Sequence, residues 1–268
     1  MLTYREVISC FRNSEEGLEQ LQRITLKSTE HLVSQPHQVL SDLELLTLKR
    51  LLEHLHQGWP LAYFWGESYF NGLVFKVNPH CLIPRPTTEI LLNVALELIN
   101  QHNPAHVVDL GTGSGNVIIS IALLHPTLSL EAWDCSLEAL KIAQENNSLH
   151  KVSVNLCHRS WWDDIQPRSI NGLVVSNPPY VDYAMATKSL AAEPDVALYS
   201  KNHGLADIYR IINIAPMLGS ILVLEVSPEQ EIKLSKHLTS LTNVISFNTV
   251  KDLLGVCRVF VIRFKIYD

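Results

Sequence analysis

From His106 onward, apolar runs with strand character alternate with stretches of helical spacing, and this alternation restricts the fold more than any other feature. The runs are HVVDL at 106–110, LSLEAW at 128–133, VSVNLC at 152–157, GLVVS at 172–176, SILVLEV at 220–226, NVISFN at 243–248 and VCRVFVIRF at 256–264. Strands separated by helices fit an open, mostly parallel sheet covered on both faces. Only about seven residues, around TVKDLLG, separate the last two runs. A parallel crossover needs a dozen or more. The expectation is therefore an α/β, Rossmann-like seven-stranded sheet whose last strand runs antiparallel.

The chain before His106 reads differently. Leu40, Leu43, Leu46, Leu48, Leu51, Leu52 and Leu55 recur at steps of about three and four, as an amphipathic helix requires. Ser41 and Asp42, with Glu44 nearby, suit a helix start. Asn71-Gly72, set between alternating apolar residues in SYFNGLVFKVN, is a strong hairpin signal. IPRPTTE at 83–89 is a proline-stiffened connector, with Thr87 or Thr88 placed to cap the next helix. The expected organisation is a helical bundle at 1–66, a β-hairpin and connector at 67–90, and the sheet domain at 91–268.

Composition excludes several classes. The 268 residues are 47% hydrophobic and 18% charged, which suits a packed soluble protein. No apolar run is long enough to span a membrane, and MLTYREVISC lacks the basic-then-apolar pattern of a signal peptide. The five cysteines (Cys10, Cys81, Cys135, Cys157 and Cys257) form no CxxC pair. That usage fits a reducing cytoplasm and argues against a zinc site or a disulfide frame. His54 and His56 stand two apart, on different faces of a helix, so no metal site is expected of them. A net charge of −6 gives no sign of the basic face that a stable nucleic-acid complex needs.

VVDLGTGSGNV at 107–117 reads as strand, glycine turn and helix. Gly111, Gly113 and Gly115 let the backbone approach a ligand and accept positive φ. A dinucleotide fingerprint needs glycine at its first, third and sixth positions. Here the sixth position is Asn116, so the spacing is GxGxG. That pattern matches the loop of enzymes using S-adenosylmethionine (AdoMet). Asp109 would set a carboxylate near the ligand's ammonium. Asp134 ends the second strand, about 20 residues past the loop, where an acid can accept both ribose hydroxyls.

SNPPY at 176–180 then ends the fourth strand on the same carboxyl edge. An NH2 group on a planar amide or base is a poor nucleophile because its lone pair is delocalised. Methylating it calls for two acceptors to hold its hydrogens and a flat surface to fix its plane. The Asn177 side-chain oxygen and the Pro178 carbonyl suit the first need, and stacking by the Tyr180 ring suits the second. The nitrogen would then face the sulfonium methyl in a near-attack geometry.

SNPPY, DLGTGSG, LIPRPTTE, PLAYFWGESYFNGLVF, AAEPDVAL and HGLADIYRII together resemble the PrmC/HemK family, from about residue 59 to 264. These are N5-glutamine methyltransferases that modify the Gly-Gly-Gln loop of class I peptide chain release factors. The resemblance implies a class I AdoMet-dependent methyltransferase fold with a helical N-terminal domain that grips the release factor. It implies AdoMet contacts from Gly111, Thr112, Gly113, Ser114, Gly115, Asp134, Trp161 and Asn177, with Trp162 the adjacent alternative to Trp161. It also implies that Asn177, Pro178, Pro179 and Tyr180 hold the glutamine amide, and that Arg85 and Glu89 close over AdoMet. Thr87, His203 and Ser227 depart from the family pattern, outside the glycine loop and NPPY.

NPPY is shared with enzymes that methylate the amino groups of adenine (N6) or guanine (N2), so a DNA or RNA methyltransferase is the main rival. It would need a basic surface or a target-recognition insert, and the chain shows neither. An NAD-linked oxidoreductase would need glycine at Asn116. A non-catalytic AdoMet-binding module would not need NPPY.

Overall fold

The computed structural model describes residues 2–11, 13–166, 171–187 and 190–265. The outermost residues of the two expected domains, Met1 and 266–268, lie outside these. The chain divides into two compact units, Met1–Phe64 and Trp65–Asp268.

The first unit holds α1 (Tyr4–Ile8), α2 (Ser14–Thr25), α3 (Thr29–Ser34) and α4 (Asp42–His56). Helix α5 (Leu61–Trp65) ends at the division. Ser41 caps α4 in a reciprocal capping box with Glu44, so the start legible in the sequence is the start observed. The leucine stripe is narrower than its spacing suggests. Leu48 and Leu51 are fully buried, whereas Leu43 and Leu46 are 74% and 44% exposed.

The second unit opens with a hairpin of β1 (Glu67–Phe70) and β2 (Leu73–Lys76). Asn71 and Gly72 form its turn with φ of 50° and 72°, as a tight two-residue hairpin requires. Asn146 docks the hairpin by accepting from the Lys76 backbone N–H at 2.7 Å and donating to its carbonyl at 3.0 Å. Then follow α6 (Thr88–His102), β3 (His106–Leu110), α7 (Asn116–Leu124), β4 (Ser129–Asp134), α8 (Leu137–His150), β5 (Asn155–His158) and β6 (Gly172–Ser176). The short pieces β7 (Val181–Asp182), α9 (Asp195–Leu198), β8 (Tyr199–Ser200) and α10 (Lys201–Gly204) lead to α11 (Ala206–Ile214), β9 (Ile221–Glu225), α12 (Glu231–Ser240), β10 (Val244–Lys251) and β11 (Cys257–Phe264).

Seven strands form one sheet in the order β10-β11-β9-β6-β3-β4-β5. β9, β6, β3, β4 and β5 are mutually parallel, and β11 is antiparallel to both its neighbours. Two boundaries differ from the sequence reading. β5 starts at Asn155 because Val152 bonds back to Asn147 at the end of α8, and the Asn147 amide donates to the Val154 carbonyl. β10 runs on to Lys251 past a bulge, which leaves an even shorter turn before β11.

Side chains alternate between two cores. Val107, Val175 and Val223 pack with α6 and α7 on one face. Val108, Val174 and Leu222 pack with α11 and α12 on the other. Each such side chain contributes about 1.5–3 kcal/mol when fully buried. This double burial fixes the register of β3 and β6, since a slip by one residue would exchange the two faces. β3 and β6 are adjacent, yet their connections leave in opposite directions across the sheet. Their carboxyl ends therefore flank the switch point where open α/β sheets bind ligands. Among the described residues, no helix is long and apolar enough to cross a membrane.

Candidate active site

The turn from β3 into α7 is built by backbone. Gly111, Gly113 and Gly115 have φ of 76°, 55° and 81°, a region L side chains rarely adopt. The Gly111 and Thr112 N–H groups both donate to the Trp133 carbonyl at 2.9 Å. Ser114's carbonyl accepts from the Asn146 amide at 2.8 Å, so the residue that docks the hairpin also braces the loop. A Cβ at Gly115 would fall 2.8 Å from Ile119 Cδ1, and one at Gly111 3.1 Å from the Trp161 ring.

Two carboxylates face this loop. Asp134 Oδ2 accepts from Gly113 N at 2.9 Å and Oδ1 from Ser136 N at 2.8 Å. Burial raises its pKa, against the pull of those N–H groups and His158. Asp109 is buried, and its Oδ2 accepts from the Thr112 hydroxyl at 2.7 Å. Burial first, and Asp134 in addition, push Asp109 up to about 7. A cationic group arriving beside this pair would relieve both acids.

A cleft of about 780 Å³, its open mouth included, brings together Asp109, Gly111, Thr112, Gly113, Ser114, Asp134, Trp161, Asn177 and Pro179 of the expected set. Gly115 does not line it and serves instead as the N-cap of α7. Pro178 and Tyr180 line an adjoining pocket of about 400 Å³. Leu82, Arg85, Asn177 and Ala197 border both cavities. Asn177 thus stands at the junction, with its Nδ2 donating to Thr88 Oγ1 at 3.1 Å.

The NPPY segment is held from several directions. The Tyr180 hydroxyl donates to Glu225 Oε1 at 3.1 Å, and burial raises the Tyr180 pKa. Gln230 Nε2 donates to the Tyr180 carbonyl at 3.1 Å and to the Gly204 carbonyl at 3.0 Å. A Cβ at Gly204 would lie 2.0 Å from the Tyr180 carbonyl oxygen, so HGL meets the segment where only glycine fits. Glu193, almost wholly buried, pairs with Arg85 and accepts from Ile83 N at 3.1 Å. EPDVAL is thereby pinned to the LIPRP connector.

Three expectations need refining. Trp161 lines the cleft while Trp162 is 59% exposed, and both indole N–H groups donate to Asp207 Oδ1, at 2.8 and 3.1 Å. Glu89 does not line the cleft, because its carboxylate turns to the hairpin and accepts from Asn71 N at 2.8 Å. Thr87 is the N-cap residue of α6 but forms no side-chain cap, and Thr88 spends its hydroxyl on Asn177. The sequence reading missed Thr88's role, Glu193, Asp207, Glu225 and Gln230. A buried acid at the end of an apolar strand, as in SILVLEV, was the signal available for Glu225. Among the described residues, no cluster of His, Cys, Asp or Glu could hold a metal ion.

The family profile described as "Methyltransferase small domain" matches residues 86–194. The hMettl16 catalytic domain in complex with a MAT2A 3′UTR hairpin shares the fold at a TM-score of 0.54 and 12% identity, covering 94% of this chain and 91% of that one. A bifunctional methyltransferase of Rickettsia typhi is 33% identical over 72% of this chain. The chain spans only 40–47% of the length of the three Rickettsia proteins of that description. The release factor glutamine methyltransferase of Pasteurella multocida is 35% identical over 75% of this chain and 74% of its own. That of Coxiella burnetii is 34% identical over 91% and 89%. Identity at this level along more than two thirds of such relatives decides the family, and this chain belongs to the release factor glutamine methyltransferases.

Proposed function

We propose that this chain transfers a methyl group from AdoMet to the side-chain amide nitrogen, N5, of the glutamine in the Gly-Gly-Gln motif of class I peptide chain release factors. The observation that carries this reading is the place of Asn177 between two cavities, one walled by the glycine loop and two acids, the other by NPPY. The residues fit AdoMet. The left-handed glycines leave a cradle that a Cβ at Gly111 would begin to fill against Trp161. Asp109 suits a ligand ammonium and Asp134, whose oxygens keep spare lone pairs, suits ribose hydroxyls. When bound, AdoMet supplies an electrophilic methyl on a sulfonium.

The chain's own residues do the rest. Asn177 Nδ2 is engaged by Thr88, which leaves Oδ1 as an acceptor for one acceptor-amide hydrogen. Among the described residues no hydrogen bond occupies the Pro178 carbonyl, which takes the other. Tyr180, its hydroxyl tied to Glu225, offers its ring to the amide plane. Holding both hydrogens fixes the nitrogen's orientation, which is where much of the rate enhancement arises. The N-terminal unit, with Leu26, Val33, Leu43 and Leu46 exposed, is read as the part that grips the release factor.

The test is a competition. The protein is incubated with methyl-labelled AdoMet, a purified class I release factor, and DNA and RNA. Label on the release factor glutamine supports the reading. Label on nucleic acid alone would replace it with amino-group methylation of a base.

A further inference from the structure

We infer that Asp207 is a positioning residue that sets the Trp161 indole as a wall of the cofactor cleft. The inference rests on the AdoMet reading above. Trp161 stands between β5 and β6, where residues 159–166 form neither helix nor strand. Its ring lines the cleft and lies against the glycine loop, since a Cβ at Gly111 would fall 3.1 Å from it. Trp161 also packs on the core that holds Val108 and Val174. That attraction is non-directional, so it sets how deep the ring sits and not which way its N–H points. Orientation has to come from hydrogen bonds.

Those bonds come from α11. Asp207 Oδ1 accepts from Trp161 Nε1 at 2.8 Å and from Trp162 Nε1 at 3.1 Å. Arg210 donates from Nε to the Trp161 carbonyl at 2.7 Å. Residues three apart share a helix face, so one face of α11 holds Trp161 by ring and by backbone. The carboxylate is itself fixed. Its Oδ2 accepts from Ser200 Oγ at 2.6 Å, and Ser200 Oγ accepts from the Asp207 N–H at 3.1 Å. Ser200 is 2% exposed and lies in β8, which pairs with β7 directly after NPPY. With Oδ2 engaged by a buried hydroxyl, Oδ1 is turned to the indoles. All three side-chain partners are donors, and a carboxylate offers acceptors to each. An indole has one N–H and no acceptor, so a Trp161 ring turned over would lose its partner. The bond to Asp207 therefore selects one ring orientation.

Variants of the full chain test this, read by calorimetry with AdoMet. Asp207→Leu keeps the bulk but removes both acceptors, and should weaken AdoMet about tenfold, the scale of one lost charge-assisted hydrogen bond. Asp207→Asn can keep its oxygen on the indoles and turn its amide N–H to Ser200 Oγ, so affinity should stay within about threefold of the parent. A packing role would spare both variants. Direct attraction of the cationic ligand by the Asp207 charge would be lost equally in both. Trp161→Phe keeps a ring without the N–H. In that background Asp207→Leu should cost no more than about a further twofold, because losses that act through one contact do not add. A second readout needs no ligand. The NMR signal of the Trp161 indole N–H, identified by its absence in Trp161→Phe, should move and exchange faster in Asp207→Leu and not in Asp207→Asn. Parent-like affinity in Asp207→Leu, equal losses in the Leu and Asn variants, a full further loss in the Trp161→Phe background, or an unmoved indole signal in Asp207→Leu overturns the inference. If the parent binds no AdoMet, the cofactor reading fails, and the indole signal still decides the positioning.

Discussion

The two halves of the cleft lie on one sheet edge but are made in different ways. The glycine half is backbone: residues 111–115, the N-terminus of α7, and two acids that end β3 and β4. Its parts lie within about 25 residues, and its hydrogen bonds run mostly through main-chain groups such as Gly113 N and Trp133 O. The NPPY half is a convergence of side chains. Thr88 and Glu225 come from segments 89 and 45 residues from their NPPY partners Asn177 and Tyr180, and with Glu193 they are less than 10% exposed. A backbone cradle tolerates changes to its side chains. A convergent pocket fails when one member is removed, because its partners are left buried and unpaired.

The predictions probe that contrast. Asn177→Ala should reduce single-turnover transfer by at least about 100-fold, the scale of a misplaced reacting group, while calorimetry finds AdoMet affinity within a few-fold of the parent. Equal losses in both would mean that the two halves are not separable. Asp134→Ala should weaken AdoMet by about 1–3 kcal/mol, the usual worth of a charged hydrogen bond, and leave the circular dichroism spectrum unchanged. Unaltered AdoMet affinity would remove Asp134 from the glycine half.

Gly111→Ala should cost the fold about 1–2 kcal/mol, the strain of an L-residue in the left-handed region, and should weaken AdoMet by a few-fold as its Cβ crowds the Trp161 ring at the cleft wall. A gain in affinity would show that the loop is not a close-fitting cradle. The smallest effect is a pH dependence. Asp109 stands at about 7 in the fold, against about 3.9 when unfolded. Between these values the folded chain binds the extra proton, so this group's contribution to stability falls as pH rises through that window and levels off above about 7. Affinity for the cationic ligand should move the other way and rise a few-fold from about pH 6 to 8, as Asp109 ionises. Asp109→Asn should flatten the affinity slope. The stability slope should persist in part, because Glu225 is also pushed up to about 7.

How much could be read in advance follows the same division. Strand-helix alternation, the GxGxG loop and Asp134 were legible because each is local: periodicity sets the element, and glycine marks the positive φ. Asn71-Gly72 and the Ser41–Glu44 cap were legible for that reason too. The reversed β11 followed from a short connection alone. SNPPY announced its position, but not its supports. Tyr180 was read for the stacking its ring offers, and its hydroxyl reaches Glu225 from 45 residues away. Thr88 was legible as a possible helix cap, and nothing near it in sequence points to Asn177, 89 residues on.

The sequence by itself therefore determined the elements, their order, the reversed strand and the carboxyl edge where chemistry is possible, because these depend on backbone preference and on connections a few residues long. Tertiary structure alone decided that Trp161 and not Trp162 walls the cleft, that Glu89 serves the hairpin, and that Glu193, Asp207 and Gln230 clamp segments far from their own. The reason is physical. A buried polar side chain must find its partner somewhere, but which partner depends on how the strands are ordered across the sheet, and no short-range pattern in the chain encodes that.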